Sequence, residues 1–194
     1  MKKKKFGMAA ALAVLVIPIL FAPRLQAQAQ RQGTFELYLG SYNIQEPRFK
    51  EVYEKGGGIQ GILLSSALFY NLDFYTEIKA FYKVGKLTYT KEETKFLLVP
   101  VSLGVRFVFP SQIVLPYIGV GGDIYFYYEN NPIGTVLNMA KGYHVLGGAY
   151  LQLGKNFPLL LNAKLKYTVA KAKENDLSIQ LGGLEYGIGL AFSF

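Results

Sequence analysis

Cysteine and tryptophan are absent from the sequence, and His144 is the only histidine among 194 residues. Without cysteine the chain can form neither a disulfide nor a thiolate metal site. His144 lies in neither an HxxxH nor an HExxH pattern, and the sequence has no GxSxG motif of a serine hydrolase. The sequence therefore predicts no metal, no other cofactor and no catalytic motif of these kinds.

Acidic residues are absent from the first 29 positions, which hold five basic residues. The formal net charge of +8 depends largely on this segment, because the remainder has 16 basic and 13 acidic residues. A nearly balanced remainder gives no reason to expect a nucleic-acid partner.

Long apolar runs are also scarce, and the one present lies near the N-terminus. Basic residues 2–5 are followed by an apolar stretch at 8–21 and then by small residues around Ala27 and Ala29. These are the three parts of a secretory signal peptide, and the apolar stretch is shorter than the roughly 20 residues of a membrane-spanning helix. We predict a signal peptide over 1–29, cleaved after Ala29 or after Ala27, and a single mature domain over 30–194. An uncleaved N-terminal anchor is the alternative.

The mature sequence alternates apolar and polar residues with the period of two that is typical of β-strands. Between Leu159 and Val169, for example, leucines alternate with Asn162, Lys164 and Lys166. Eight such segments are predicted at 34–43, 58–70, 74–84, 95–109, 114–128, 142–154, 159–170 and 178–194. Short connections alternate with longer, more polar ones at 44–57, 85–94, 129–141 and 171–177, as in barrels with short periplasmic turns and long outer loops.

A sheet in lipid must close on itself, because lipid offers no hydrogen bonds to a free strand edge. The segments are long enough for the 9–11 tilted residues that cross a bilayer. We predict an all-β fold: an eight-stranded antiparallel up-and-down transmembrane β-barrel in the outer membrane, with both termini periplasmic. A soluble barrel or sandwich with the opposite face buried is the alternative.

Aromatic residues cluster near the predicted strand ends, as expected for the two girdles at membrane–water interfaces. The periplasmic girdle is predicted at Tyr70, Phe74, Phe107 and Phe109, with Phe157, Phe192 and Phe194 nearby. The outer girdle is predicted at Tyr82, Phe126, Tyr128, Tyr143 and Tyr167.

The C-terminus ends in phenylalanine, with apolar or aromatic residues at every second position before it. These positions are Tyr186, Ile188, Leu190, Phe192 and Phe194. With this ending, residues 34–194 resemble the family of small eight-stranded outer-membrane β-barrel proteins. In that family such an ending is an assembly signal, so the resemblance implies periplasmic chaperones and the barrel-assembly machinery as partners.

The inward face of the predicted barrel carries charges, which are costly inside a membrane unless they are paired. We predict a charge belt across the lumen, formed by Lys79, Asp123, Lys164, Lys166 and Glu185, and a set of unconnected hydrated charges is the alternative. Other lumen charges are predicted at Glu36, Glu77 and Arg106. Counting residues from the hairpins sets Lys79 and Asp123 near Pro100, and Glu185 beside Lys164.

The sequence favours a non-enzymatic structural or surface-interaction role in the outer membrane. The predicted partners are outer-membrane lipids and lipopolysaccharide, and the predicted state is a monomer. One alternative is a narrow channel for small or hydrophobic solutes. A less favoured one is an enzyme acting on envelope lipids, but lipid A deacylases of this fold have a serine two residues after a histidine, where this chain has Leu146.

Overall fold

The computed structural model describes residues 32–54, 56–154, 157–174 and 177–194, so the predicted signal peptide over 1–29 and its cleavage site lie outside the described residues. The elements in chain order are β1 (Gly33–Ile44), α1 (Pro47–Tyr53), β2 (Gly57–Phe69), β3 (Leu72–Lys86), β4 (Glu93–Val108), β5 (Val114–Asn131), β6 (Gly134–Gln152), β7 (Leu159–Glu174), β8 (Leu177–Gln180) and β9 (Gly183–Ser193). In the part of the chain that the structure describes, no helix is both long enough and apolar enough to cross a membrane.

The strands form one closed antiparallel sheet. From β1 to β7, each strand pairs with the next along the chain. β9 lies between β7 and β1 and pairs with both, while β8 pairs with the C-terminal end of β7. β8 and β9 are thus two segments of the eighth barrel strand, and the predicted eight-stranded antiparallel barrel is confirmed.

The side chains alternate between the lumen and the outer surface, because successive residues of a strand point to opposite faces. On β7, Lys164 and Lys166 are buried in the lumen. Leu161, Leu165 and Tyr167 are exposed on the outside of the same strand. The barrel therefore has a polar interior and an apolar exterior, the reverse of a soluble protein.

The hairpin between β5 and β6 is longer than the sequence predicted. A long loop was expected at 129–141, but β5 runs to Asn131 and β6 begins at Gly134. The side chain of Asn131 accepts hydrogen bonds from the backbone N–H groups of Ile133 and Gly134 at 3.0 and 3.1 Å, which stabilises a tight turn. The prediction was wrong because polar residues near the turn hide the alternation that continues through this hairpin.

The loop predicted at 44–57 contains the short helix α1. Pro47 stands at its first position, where the missing N–H of proline costs no helical hydrogen bond. Phe49 and Tyr53 lie four residues apart on one face, are both buried, and stack with ring centroids 4.7 Å apart. The helix therefore turns an aromatic face toward the end of the barrel that carries the long hairpins.

The eighth strand, predicted as unbroken over 178–194, is interrupted at Leu181 and Gly182. The N–H groups of these two residues both donate to the carbonyl of Ala170, at 2.9 and 3.2 Å. The Tyr42 hydroxyl donates to the carbonyl of Leu181 at 2.6 Å. At the interruption, the carbonyl of Leu181 is thus hydrogen-bonded to a side chain of β1.

Candidate functional site

The middle of the lumen holds all five residues of the predicted charge belt, and all five are buried. Lys79 Nζ lies 2.6 Å from Glu185 Oε2, and Lys166 Nζ lies 2.9 Å from Asp123 Oδ1. Lys164 pairs instead with Glu77, a carboxylate that the sequence placed only among the other lumen charges. The structure thus brings these groups together as ion pairs within the barrel.

Glu77 lies at the centre of this arrangement. Its carboxylate pairs with Lys164, lies 2.9 Å from Lys79 Nζ and lies 3.3 Å from Lys166 Nζ. The side chains of all four residues are at most 1% exposed, so each charge depends on its partners rather than on water. Sequence reasoning missed this central role, because Glu77 on β3 meets lysines of β7 across the lumen and no local pattern records that contact.

The predicted pairing of Asp123 and that of Glu185 were each wrong by two residues. Asp123 lies opposite Ser102 rather than Pro100. Glu185 lies opposite Lys166 rather than opposite the lysine two residues earlier. Counting from a hairpin requires the position of the turn to within one residue, and the sequence does not give the turns that accurately.

Three further polar side chains, which sequence reasoning did not assign to the belt, join it. His144 Nδ1 lies 2.7 Å from Asp123 Oδ2, and the other ring nitrogen of His144, Nε2, is hydrogen-bonded to the hydroxyl of Tyr75. The Ser102 hydroxyl donates to Asp123 and accepts from Lys166 Nζ at 2.7 Å. The alternation along their strands could have predicted that these residues face the lumen. Both ring nitrogens of His144 are engaged, and no group able to hold a metal ion occurs among the described residues.

Arg106 organises a second cluster, on the side of the belt nearer the termini. Its guanidinium donates to Asp73 at 3.2 Å, to Thr34 and Ser65 at 2.9 Å each, and to the hydroxyl of Tyr150. Three tyrosine rings lie with their centroids 5.2–5.9 Å from the guanidinium carbon, within the range of cation–π contact. Arg106, a predicted lumen charge, therefore has its own set of partners, separate from the belt.

Glu36, the third of the other predicted lumen charges, connects the two clusters. It accepts hydrogen bonds from Asn162 at 2.7 Å and from Tyr150, a partner of Arg106, at 3.0 Å. Its carboxylate also lies 4.0 Å from Lys164 Nζ in the belt. The polar side chains thus form a continuous network from the Arg106 cluster to the charge belt. Hydrogen-bonded networks of this kind make the interior of a protein rigid.

An aromatic layer covers the belt on the side of the long hairpins. Its buried members are Tyr42, Phe49, Tyr53, Phe81, Phe96, Tyr125 and Tyr127, which we call the aromatic cap. The ring of Phe49 on α1 lies 5.2 Å from that of Phe96, nearly perpendicular to it. The helix is therefore packed onto the barrel by aromatic contacts.

The hydroxyl of Tyr53 fixes the end of α1. It donates to Glu129 at 3.0 Å and lies 2.9 Å from the hydroxyl of Thr94. Burial raises the pKa of this hydroxyl well above its ordinary value, so it remains a donor at neutral pH. Beside the helix lies a cavity of about 200 Å³, which is lined by residues of α1 and the cap together with Glu129, Val136 and Ile179, and by none of the charge belt.

The outer surface carries the residues predicted for the girdles and the assembly signal. Of the girdle residues, Tyr70, Phe107, Phe109, Tyr82, Phe126, Tyr128, Tyr143 and Tyr167 are exposed, and Phe74 is half-buried. At the C-terminus, Tyr186, Ile188, Phe192 and Phe194 are exposed on the outside of β9 and its end, and Leu190 is half-buried. All of these side chains are therefore at least partly available to a surrounding medium.

No protein-family model matches the sequence, and no curated protein matches it. The crystal structure of Neisserial surface protein A matches with a TM-score of 0.62 and 14% identity, over 84% of this chain and 97% of that one. The N-terminal β-barrel domain of OprF from Pseudomonas aeruginosa matches with a TM-score of 0.53 and 13% identity, over 84% and 98%. Ail of Yersinia pestis, in complex with the heparin analogue sucrose octasulfate, matches with a TM-score of 0.51 and 13% identity, over 82% and 97%. At these identities the similarity establishes the fold, that of the small eight-stranded outer-membrane β-barrels.

Proposed function

We propose that this chain is an integral outer-membrane β-barrel protein with a sealed lumen and a non-enzymatic structural or surface-interaction role. The observation that carries the proposal is the reversed polarity of the barrel. Charged side chains such as Glu77 and Lys166 are buried inside, while Ile118, Leu165 and Ile188 are more than half exposed outside. Such an exterior is stable in a hydrocarbon layer and costly in water.

The filled lumen favours this role over that of a channel. An eight-stranded barrel is only about wide enough for its own side chains. Here the Arg106 cluster, the charge belt and the aromatic cap follow one another along the axis. Each layer is made of buried side chains bonded to or packed against one another. Ions or solutes would have to break several ion pairs to pass.

The same packing argues against the enzyme alternative. Tyr75, His144 and Asp123 form a hydrogen-bonded chain that resembles catalytic arrangements. All three are at most 3% exposed and lie beneath the aromatic cap. A substrate would have to displace the cap to reach them, and for this reason we assign them a structural role.

We further propose that both termini are periplasmic and that the long hairpins and α1 are extracellular. The aromatic girdles then lie at the two interfaces, and outer-membrane lipids and lipopolysaccharide surround the barrel. The alternating C-terminal residues from Tyr186 to Phe194 would be recognised by periplasmic chaperones and the barrel-assembly machinery. Because the closed barrel has no free strand edge, it needs no second copy, and we propose a monomer.

The location is tested by separating inner and outer membranes from cells that produce the full chain. We expect the protein in the outer-membrane fraction, with an electrophoretic mobility that changes on boiling, because closed barrels resist detergent until heated. A water-soluble periplasmic protein with one mobility, heated or not, would refute the proposal.

The sealed lumen is tested by reconstituting the purified protein in planar bilayers, beside a porin as a positive control. We expect no discrete current steps from the folded protein. Reproducible steps that grow in number with the folded protein would favour the channel alternative.

A further inference from the structure

Two lysines lie side by side on the outer surface of the barrel. Lys141 on β6 and Lys171 on β7 are partners in the antiparallel register, so their side chains start from directly opposite backbone positions. Both are exposed on the outward face. Like charges placed directly opposite each other repel and destabilise a sheet, and an anion bound between them would relieve this repulsion.

Among the residues whose side chains the structure describes, no carboxylate is ion-paired with either lysine, although that of Glu46 accepts a hydrogen bond from the backbone N–H of Gln180 at 2.8 Å. The other strand partners are Ile124, opposite Lys141, and Gln180, opposite Lys171, and neither is acidic. Neither lysine forms an ion pair within this part of the chain. Lys95, another outward lysine near the long hairpins, has the carboxylate of Glu93 at 3.2 Å.

The pair lies directly beyond the apolar exterior. Along β6, Lys141 is followed on the same face by Tyr143 and Val145, both more than half exposed. Along β7 the corresponding outward residue next to Lys171 is Val169, followed by Tyr167. Tyrosines favour the membrane interface, so the lysines stand at the depth where lipid headgroups begin.

We propose that Lys141 and Lys171 form a binding site for a phosphate group of an outer-leaflet lipid of the lipid A class. The proposal rests on the outer-membrane location and on the extracellular orientation of the long hairpins, and it names the part of the surface that binds the lipid. Two ammonium groups can share one phosphate as point charges, and their mutual repulsion then becomes attraction to the same ligand.

The surroundings favour a lipid phosphate over free phosphate. Ile124, Tyr143, Val145 and Val169 surround the approach to the lysines on the side of the apolar band. A lipid with a phosphate between the lysines can lay its acyl chains along this surface, whereas inorganic phosphate gains only the charge contact. Because the phosphate contact and the acyl-chain contact belong to one molecule, the lipid binds more tightly than either group would alone.

The experiment compares bisphosphorylated lipid A with its dephosphorylated form. Detergent-solubilised full-length protein is titrated with each lipid, and binding is measured by native mass spectrometry. We expect the wild type to bind the phosphorylated form more tightly than the dephosphorylated one. Lys141→Gln and Lys171→Gln should each lower the ratio of the two affinities by roughly fivefold. The double variant should lose about thirtyfold in total and bind both lipids alike.

Lys95→Gln is the matched control, because it removes an outward lysine that already has a carboxylate partner. We expect it to keep the preference of the wild type, and we expect inorganic phosphate not to compete. Heat-modifiable mobility of every variant shows that the barrel is folded. An equal loss in Lys95→Gln, no phosphate preference in the wild type, or competition by inorganic phosphate would overturn the lipid-phosphate site. Each of these results leaves the fractionation test of the outer-membrane location unchanged.

Discussion

The two faces of β7 carry opposite chemistry at adjacent positions. On the lumen side, Lys164 and Lys166 are almost fully buried and reach carboxylates of β3 and β5. On the outer side, Leu161 and Leu165 point away from every lumen charge and are about half exposed. In the middle of the barrel wall, a charged side chain is thus placed where partners surround it. A lysine placed one residue further along the strand would point to the exterior and would have no such partner.

The largest expected effect comes from removing the central carboxylate of the lumen. Glu77→Gln leaves Lys79, Lys164 and Lys166 buried with one anion fewer among them. Breaking a buried ion pair costs about 3–5 kcal/mol, so we expect a loss of that size in the free energy of unfolding, measured by urea titration in detergent.

The exposed residue Glu92 provides the control, since Glu92→Gln should change the free energy of unfolding by less than about 0.5 kcal/mol. Combining Glu77→Gln with Lys164→Gln should cost less than the sum of the two single changes, because the pair is coupled. A loss below about 1 kcal/mol for Glu77→Gln would contradict the account of a partner-dependent lumen.

A somewhat smaller effect is expected from placing a charge on the other face of β7. Leu165→Lys sets an ammonium group in the middle of the apolar exterior, opposite Gly147 and Tyr186. At the centre of a bilayer this costs about 2–4 kcal/mol, whereas Tyr143→Lys near the interface should cost about 0–1 kcal/mol. Equal stability of the two variants in lipid vesicles would indicate that this surface does not contact hydrocarbon.

The smallest effect is expected in the aromatic cap, at the end of the lumen. Phe49→Ala removes the ring that packs α1 against Phe96, so the helix should open locally while the barrel stays folded. We expect hydrogen exchange of the α1 amides to accelerate by roughly 10- to 100-fold, equivalent to about 1.4–2.8 kcal/mol, with global unfolding little changed. The exposed neighbour Lys50 is the control, and Lys50→Ala should leave this exchange rate as it is. If Phe49→Ala lowered the global stability as much as Glu77→Gln, α1 would be part of the barrel's cooperative unit.

The barrel could be predicted from the sequence because strand periodicity is local. A pleated strand turns every second side chain to the same face, so the leucines and lysines between Leu159 and Val169 reveal both the strand and its two environments. Chain order then gives the topology, since short turns join antiparallel neighbours. The strand ends were less predictable: the hairpin at 129–141 and the helix after Pro47 were both expected as loops.

The lumen was predictable in composition but not in connectivity. The charge belt was expected from inward parity, and all five of its residues lie in the lumen. That Glu77 also pairs with Lys164 and Lys166 depends on which strands face each other across the barrel, and Lys164 is 87 residues away in the sequence. No spacing in the sequence encodes such a distance. His144 and Tyr75 were missed for the same reason, although α1 did leave a signal in the spacing of Phe49 and Tyr53.

The central claim, that the outward side chains contact lipid, is tested most directly by spin labels on single cysteines. Because the chain has no cysteine, one substitution gives one labelled position. In lipid vesicles, labels at Leu165, Ile118 and Ile188 should collide readily with oxygen and rarely with a water-soluble nickel chelate. A label at Tyr89, which is 95% exposed in the loop after β3, should show the reverse. Nickel accessibility at the three barrel positions as high as that at Tyr89 would contradict the account.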